Sequence, residues 1–234
     1  MSKSRRLGLV GGLGVGATVH YYREFAKAHE ARGRTLDIVI VHAETSRVFE
    51  RVGAGDREGL AEYLNGFIRV LKDAGAEVAA IPAVTAHYCV RELVATSPLP
   101  ILSIFEPLVR EISARGVRRV ALFGTRFVIE SRLFGFAGDV EICMPRPDEV
   151  DYIHKTYTDL ARDGRGTEAQ FRGLTELAHT LERRDGVDAI VLAGTDLAVI
   201  FNEANTEFPY IDCAALHIRK ILSVVLGETP RDLA

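Results

Sequence analysis

Cysteine is scarce in this sequence: Cys89, Cys143 and Cys213 are the three thiols in 234 residues. They are too few and too scattered for a disulfide framework or a zinc site. An excess of one charge is also missing. The formal net charge is −3, and the basic pairs Arg118-Arg119 and Arg183-Arg184 read as solvated element ends. No field for nucleic acid or an anionic membrane follows from that pattern. No apolar run approaches the roughly 18–20 residues that a membrane span needs. The opening MSKSRRLGLVGG enters a strand pattern directly, without the apolar stretch and cleavage site of a signal peptide. Pro/Ser-rich linkers and low-complexity segments are absent too. The expectation is a cytoplasmic protein with no nucleic-acid or membrane partner.

What the chain has in quantity is apolar side chains, at 47% of residues, enough for a sizeable core. Short β-rich runs alternate with longer stretches of helical period. Strands are expected at 7–11, 37–42, 77–82, 101–104, 119–124, 140–143, 189–193 and 209–212. Helices are expected at about 17–32, 56–74, 86–95, 106–115, 127–134, 148–162, 168–184 and 213–226. In LAEYLNGFIRVL, residues 60–71, the apolar positions 60, 64, 67, 68 and 71 share one helical face. Asp56 and Thr167 suit helix N-caps, and Gly75 suits a C-terminal stop.

Strand–helix alternation implies parallel sheets with right-handed crossovers. The fold class is therefore α/β, as two pseudo-symmetric four-stranded parallel-sheet domains. The first is expected over 1–115 with 212–234 returning to it, the second over 116–211. Ligands in such sheets bind beyond the carboxyl ends of the strands, so both sets of strand tips should face one cleft.

Several tips carry polar or glycine-rich sequence. Gly11-Gly12-x-Gly14-x-Gly16 follows a strand and precedes a helix, but its spacing never gives GxGxxG, so a nucleotide site is not expected. A tight turn explains those glycines, and the helix N-terminus behind them could hold a carboxylate. His42 and Glu44 follow the second strand. Ala83-Val84-Thr85-Ala86-His87 and Ala193-Gly194-Thr195-Asp196 end two others, and Gly124-Thr125-Arg126 a further one. Threonines at such places cap helices or bind anions. His42, Glu44 and His87 have acceptable metal-ligand identities but no ligand spacing, so no metal is expected.

Taken in order, these stretches resemble the aspartate/glutamate racemase family. Gly11-Gly12-Leu13-Gly14, with Ala17-Thr18 and Tyr21-Tyr22, is similar to that family's GGMGxxAT…YY. Ile81 to His87 resembles I-x-C-N-T-A-H, and Gly124-Thr125-Arg126 resembles GT-[RK]. Leu192 to Leu197 resembles L-G-C-T-E-L, and Ile211-Asp212 through His217 the closing ID…H. The resemblance implies a cofactor-independent enzyme, paired as a homodimer, with two cysteines facing each other across the cleft. It also places a substrate carboxylate among backbone N–H groups and Asn/Thr side chains.

The family's two cysteines fall on Ala83 and Gly194, and the asparagine beside the first falls on Val84. Neither alanine nor glycine can carry a proton, so two-thiol racemisation is chemically excluded. Glu44, His87 and Asp196 remain as candidate acid–base groups, with His42 and His20 behind them. Gly12, Leu13, Gly14, Val84, Thr85, Thr125, Arg126 and Thr195 are the candidate substrate-binding residues. The function expected is cofactor-independent proton transfer on a small carboxylate, of isomerase, lyase or decarboxylase type. The alternative is a non-catalytic carboxylate-binding or regulatory protein on the same scaffold.

Overall fold

The structure is a computed structural model that describes residues 4–136 and 139–228. Residues 1–3, 137–138 and 229–234, which fall within the expected domains, lie outside it. The first sheet contains β1 (Leu7–Gly11), β2 (Ile38–His42), β3 (Val78–Ala80) and β4 (Ile101–Leu102) in the order β2-β1-β3-β4. The second contains β5 (Arg119–Phe123), β6 (Glu141–Cys143), β7 (Ala189–Leu192) and β8 (Tyr210–Asp212) in the order β6-β5-β7-β8. Every pairing is parallel. The two sheets are thus topological copies, as the alternation implies. The central strands β1, β3, β5 and β7 are buried almost throughout, which is why they read as unbroken apolar runs.

The helices are α1 (Val15–Glu30), α2 (Thr45–Gly53), α3 (Arg57–Asp73), α4 (Val90–Thr96), α5 (Phe105–Ala114), α6 (Arg126–Glu130), α7 (Pro147–Asp163), α8 (Glu168–Asp185) and α9 (Cys213–Leu226). Single 3-10 turns follow β3 at Thr85–Cys89 and β7 at Thr195–Val199. Asp56 caps α3 through the Gly59 amide at 2.8 Å, and Thr167 forms a capping box with Gln170. The helix α2, TSRVFERVG, departs from the sequence expectation, which has no helix there. Val48 and Val52 are one turn apart and both buried, enough to seat a short helix against the core.

One face of the first sheet packs against α2 and α3, through Val48, Leu60, Leu64, Ile68 and Leu71. The other is covered by Tyr21 and Phe25 of α1 and by Ala214, Ile218, Ile221 and Val225 of α9. The helix α5 packs the other way. Its Phe105, Leu108 and Ile112 join the core around β5, β7 and β8. Among the described residues no helix is long and apolar enough to cross a membrane.

Candidate active site

The two sheets present their strand tips to a shared cavity of about 370 Å3. Its floor and walls come from the glycine turn after β1 (Gly12, Leu13, Gly14, Val15) and from Ala83 to Ala86 after β3. Thr45, Val48 and Phe49 of α2, Thr125, and one side of α7 complete it. Of the candidate binding residues, Gly12, Leu13, Gly14, Val84, Thr85 and Thr125 line it, and so does Ala83. Gly194, Thr195, Asp196, Glu44, His87 and Arg126 are not among the lining residues.

Each of those six has a specific place. Thr195 is buried, and its hydroxyl donates to the Pro82 carbonyl at 2.9 Å, tying the second tip to the first. Thr85 and Thr125 hydrogen-bond to each other at 3.1 Å, and Thr125 also accepts from the Val128 amide. The threonines thus join the two halves. Arg126 is held by Glu130 at 3.1 Å and by Asp151, so its guanidinium is engaged on its own half. Glu44 is exposed at the start of α2, with its backbone amide donating to Tyr63.

His87 is fully buried, and both ring nitrogens are spent on backbone. Nδ1 donates to the Ala83 carbonyl at 2.9 Å and Nε2 accepts from the Ile104 amide at 3.3 Å. Burial pushes the imidazole down to about 4, so it stays neutral and pins the Ala83 turn to the start of α5. Beside it His217 donates to the Leu102 carbonyl and accepts from Tyr21, and burial lowers it to about 3. Cys89 and Cys213 are buried thiols, with burial pushing Cys89 up to about 12.

Asp196 is wholly buried, directly behind the glycine turn. Its Oδ1 accepts from the Ala17 amide in the first turn of α1 at 2.7 Å, and its Oδ2 accepts from the Tyr157 hydroxyl at 3.2 Å. The carboxylate expected at that helix N-terminus is therefore the protein's own. Gly14 has φ +153, and a Cβ there would lie 2.2 Å from Asp196 Oδ2, so glycine is required on both counts. Desolvation outweighs the two hydrogen bonds and raises the Asp196 carboxyl to about 6.

Tyr157, Val15, Val48, Phe49, Thr158, Ala161 and Arg162 also line the cavity, and sequence reasoning missed all of them. The reason is visible on α7, where Val150, Ile153, Tyr157 and Leu160 form one buried helical stripe. By spacing alone, Tyr157 cannot be told from its core neighbours. The cavity is mainly apolar. Arg162 is its charged lining residue, held by Asp159 at 3.0 Å and Asp163 at 2.8 Å.

Two parallel sheets of identical order, with a cavity at their facing tips, define a two-fold repeated α/β protein with its site between the halves. The Asp/Glu/Hydantoin racemase family model matches residues 10–221, and the chain belongs to that family. Among solved structures, a putative Asp/Glu racemase from Yersinia pestis is 23% identical, with TM-score 0.77 over 95% of this chain and 99% of that one. The aspartate racemase of Picrophilus torridus is 19% identical, with TM-score 0.74 over 96% and 95%. An arylmalonate decarboxylase is 15% identical, with TM-score 0.55 over 94% and 92%. At these identities the structures establish the shared fold.

Proposed function

We propose that this chain is a cofactor-independent enzyme that moves a proton at the carbon beside the carboxylate of a small acid carrying an apolar substituent. The reaction is of isomerase, lyase or decarboxylase type and uses no thiol. The observation that carries this reading is the cavity itself: apolar walls beside the side-chain-poor tip at Ala83, with a carboxyl of raised pKa immediately behind one wall. The acid–base role goes to Asp196 in preference to Glu44 and His87. Glu44 is exposed outside the lining, and both nitrogens of His87 are engaged. A group that titrates near neutrality suits proton transfer.

The walls argue for the substrate class. Leu13, Val15, Val48, Phe49 and Val84 offer apolar surface, while Thr85, Thr125 and the backbone of the glycine turn offer polar contacts for a carboxylate. No Asp or Glu is among the lining residues, so an α-ammonium group would enter without a counter-charge. An acid without an amine fits better than an amino acid. Family membership and the occurrence of this fold in an arylmalonate decarboxylase support proton transfer at a carboxylate-bearing carbon. The same reading has the chain acting as a homodimer in the cytoplasm, following the family resemblance.

The test is incubation with phenylacetate, 2-phenylpropanoate, phenylmalonate and L-aspartate in D2O, followed by NMR. Deuterium incorporation or CO2 loss is expected from the aryl acids and not from aspartate. No exchange and no turnover with any of them refutes the reading. An acid that raises the melting temperature without being turned over identifies a binding protein instead.

A further inference from the structure

The position of the family's second cysteine is not merely empty. A Cβ built on Gly194 would lie 2.3 Å from Cε2 and 2.7 Å from Cδ2 of Tyr157, so the tyrosine ring fills the volume that any side chain at 194 would need. Tyr157 lines the cavity and Gly194 does not. The other tip is different: the Ala83 methyl group still lines the cavity. One blank site is therefore covered by an aromatic ring that carries a hydroxyl, and the other is left as an inert wall.

Through its hydroxyl, this lining residue is the side-chain link between the cavity and Asp196. Asp196 is wholly buried and absent from the lining, and it stands behind the backbone of Gly14 on one side and Tyr157 on the other. Tyr157 donates to its Oδ2 at 3.2 Å. Phenols accept and release protons through one oxygen, so a tyrosine in this place can pass a proton that a buried carboxylate cannot deliver directly.

We propose that Tyr157 replaces the second family thiol, transferring a proton between the α-carbon of the bound acid and Asp196. The proposal rests on the proton-transfer reading above. In the forward step the Cα–H bond breaks and its proton goes to the Tyr157 oxygen, while the proton already on that oxygen moves to Asp196 Oδ2. The electron pair of the broken bond is delocalised into the substrate carboxylate as an enediolate. Once the proton on Asp196 has exchanged with solvent, the return step reverses each transfer. With only a methyl group at Ala83 on the opposite side, the proton comes back to the face it left, so exchange proceeds with retained configuration.

The test separates this proposal from its parent. In wild type and Tyr157→Phe, 13C NMR follows the Asp196 carboxyl through its titration. Exchange of (S)-2-phenylpropanoate in D2O is followed by NMR and chiral chromatography. Loss of the donated hydrogen bond should move the Asp196 titration to higher pH in Tyr157→Phe. Exchange should fall at least a hundredfold while 2-phenylpropanoate still binds, and in wild type the deuterated acid should remain S. An unmoved titration, undiminished exchange in Tyr157→Phe, or racemised product overturns the role of Tyr157. Absence of exchange in wild type together with a moved titration overturns the parent reading and leaves the Tyr157–Asp196 pair standing. As a check on the packing, Gly194→Ala should lower the melting temperature in wild type and far less in Tyr157→Ala. Equal losses in the two backgrounds overturn the replacement of one group by the other.

Discussion

Replacing Asp196 by asparagine tests the energetics of the site without any substrate. The amide side chain would keep an acceptor for the Ala17 amide but could never ionise. In the wild type the carboxyl moves from 3.8 to about 6 because it is buried, a shift worth about 3 kcal/mol at ~1.36 kcal/mol per unit. The direction follows from proton uptake. Between pH ~4 and ~6 the folded chain holds a proton on Asp196 that the unfolded chain has released. This group's contribution is therefore most favourable below pH ~4 and is lost as pH rises towards and past 6. Asp196→Asn removes that dependence. Its stability minus that of the wild type should rise by about 3 kcal/mol between pH 4 and pH 7.5. Urea unfolding at a series of pH values measures both proteins, and the difference cancels every other titrating group they share. A difference that stays flat, or that falls with rising pH, refutes a buried carboxyl with a raised pKa.

His87 and His217 should act with the opposite sign. Both are buried and neutral, with values of about 4 and about 3, so their stabilising effect is present above pH ~6.5 and lost as pH falls below it. Acid should therefore destabilise Asp196→Asn more steeply than wild type between pH 6 and 4, with a limiting slope of about 2.7 kcal/mol per pH unit for two protons. A shallower slope in the variant would contradict the assignment. Thr195→Val removes the hydrogen bond to the Pro82 carbonyl and leaves that buried acceptor unpaired, at a cost of about 1–3 kcal/mol by urea unfolding. A loss near zero would show that the contact between the two tips contributes nothing to stability.

The fold was legible because its strands are short apolar runs with nothing polar inside them, and because periodicity changes sharply between strands and helices. β1 and α9 begin and end where the apolar pattern does. The helix α2 was hidden because only Val48 and Val52 mark its buried face. In the site, Ala83, Val84 and Thr85 stood out in the sequence because they follow an apolar strand, and that strand's end faces the cavity. It could not foresee that Asp196 would serve as the anion at the start of α1, a contact between residues 179 positions apart. Nor could it see Tyr157 over Gly194, because that contact joins a helix and a strand end whose approach only the tertiary structure sets. His87 had the look of an acid–base group, and only its two backbone partners show how it is used.

The threonine contacts between the two halves have a mechanical consequence. Thr195 to Pro82 and Thr85 to Thr125 are hydrogen bonds between the halves, and the second lies in the cavity lining. The halves also meet where Phe49 of α2 faces Phe127 of α6, with ring centroids 6.1 Å apart. A movement that admits a ligand while keeping both hydrogen bonds must pivot about them, as a jaw does about its joint.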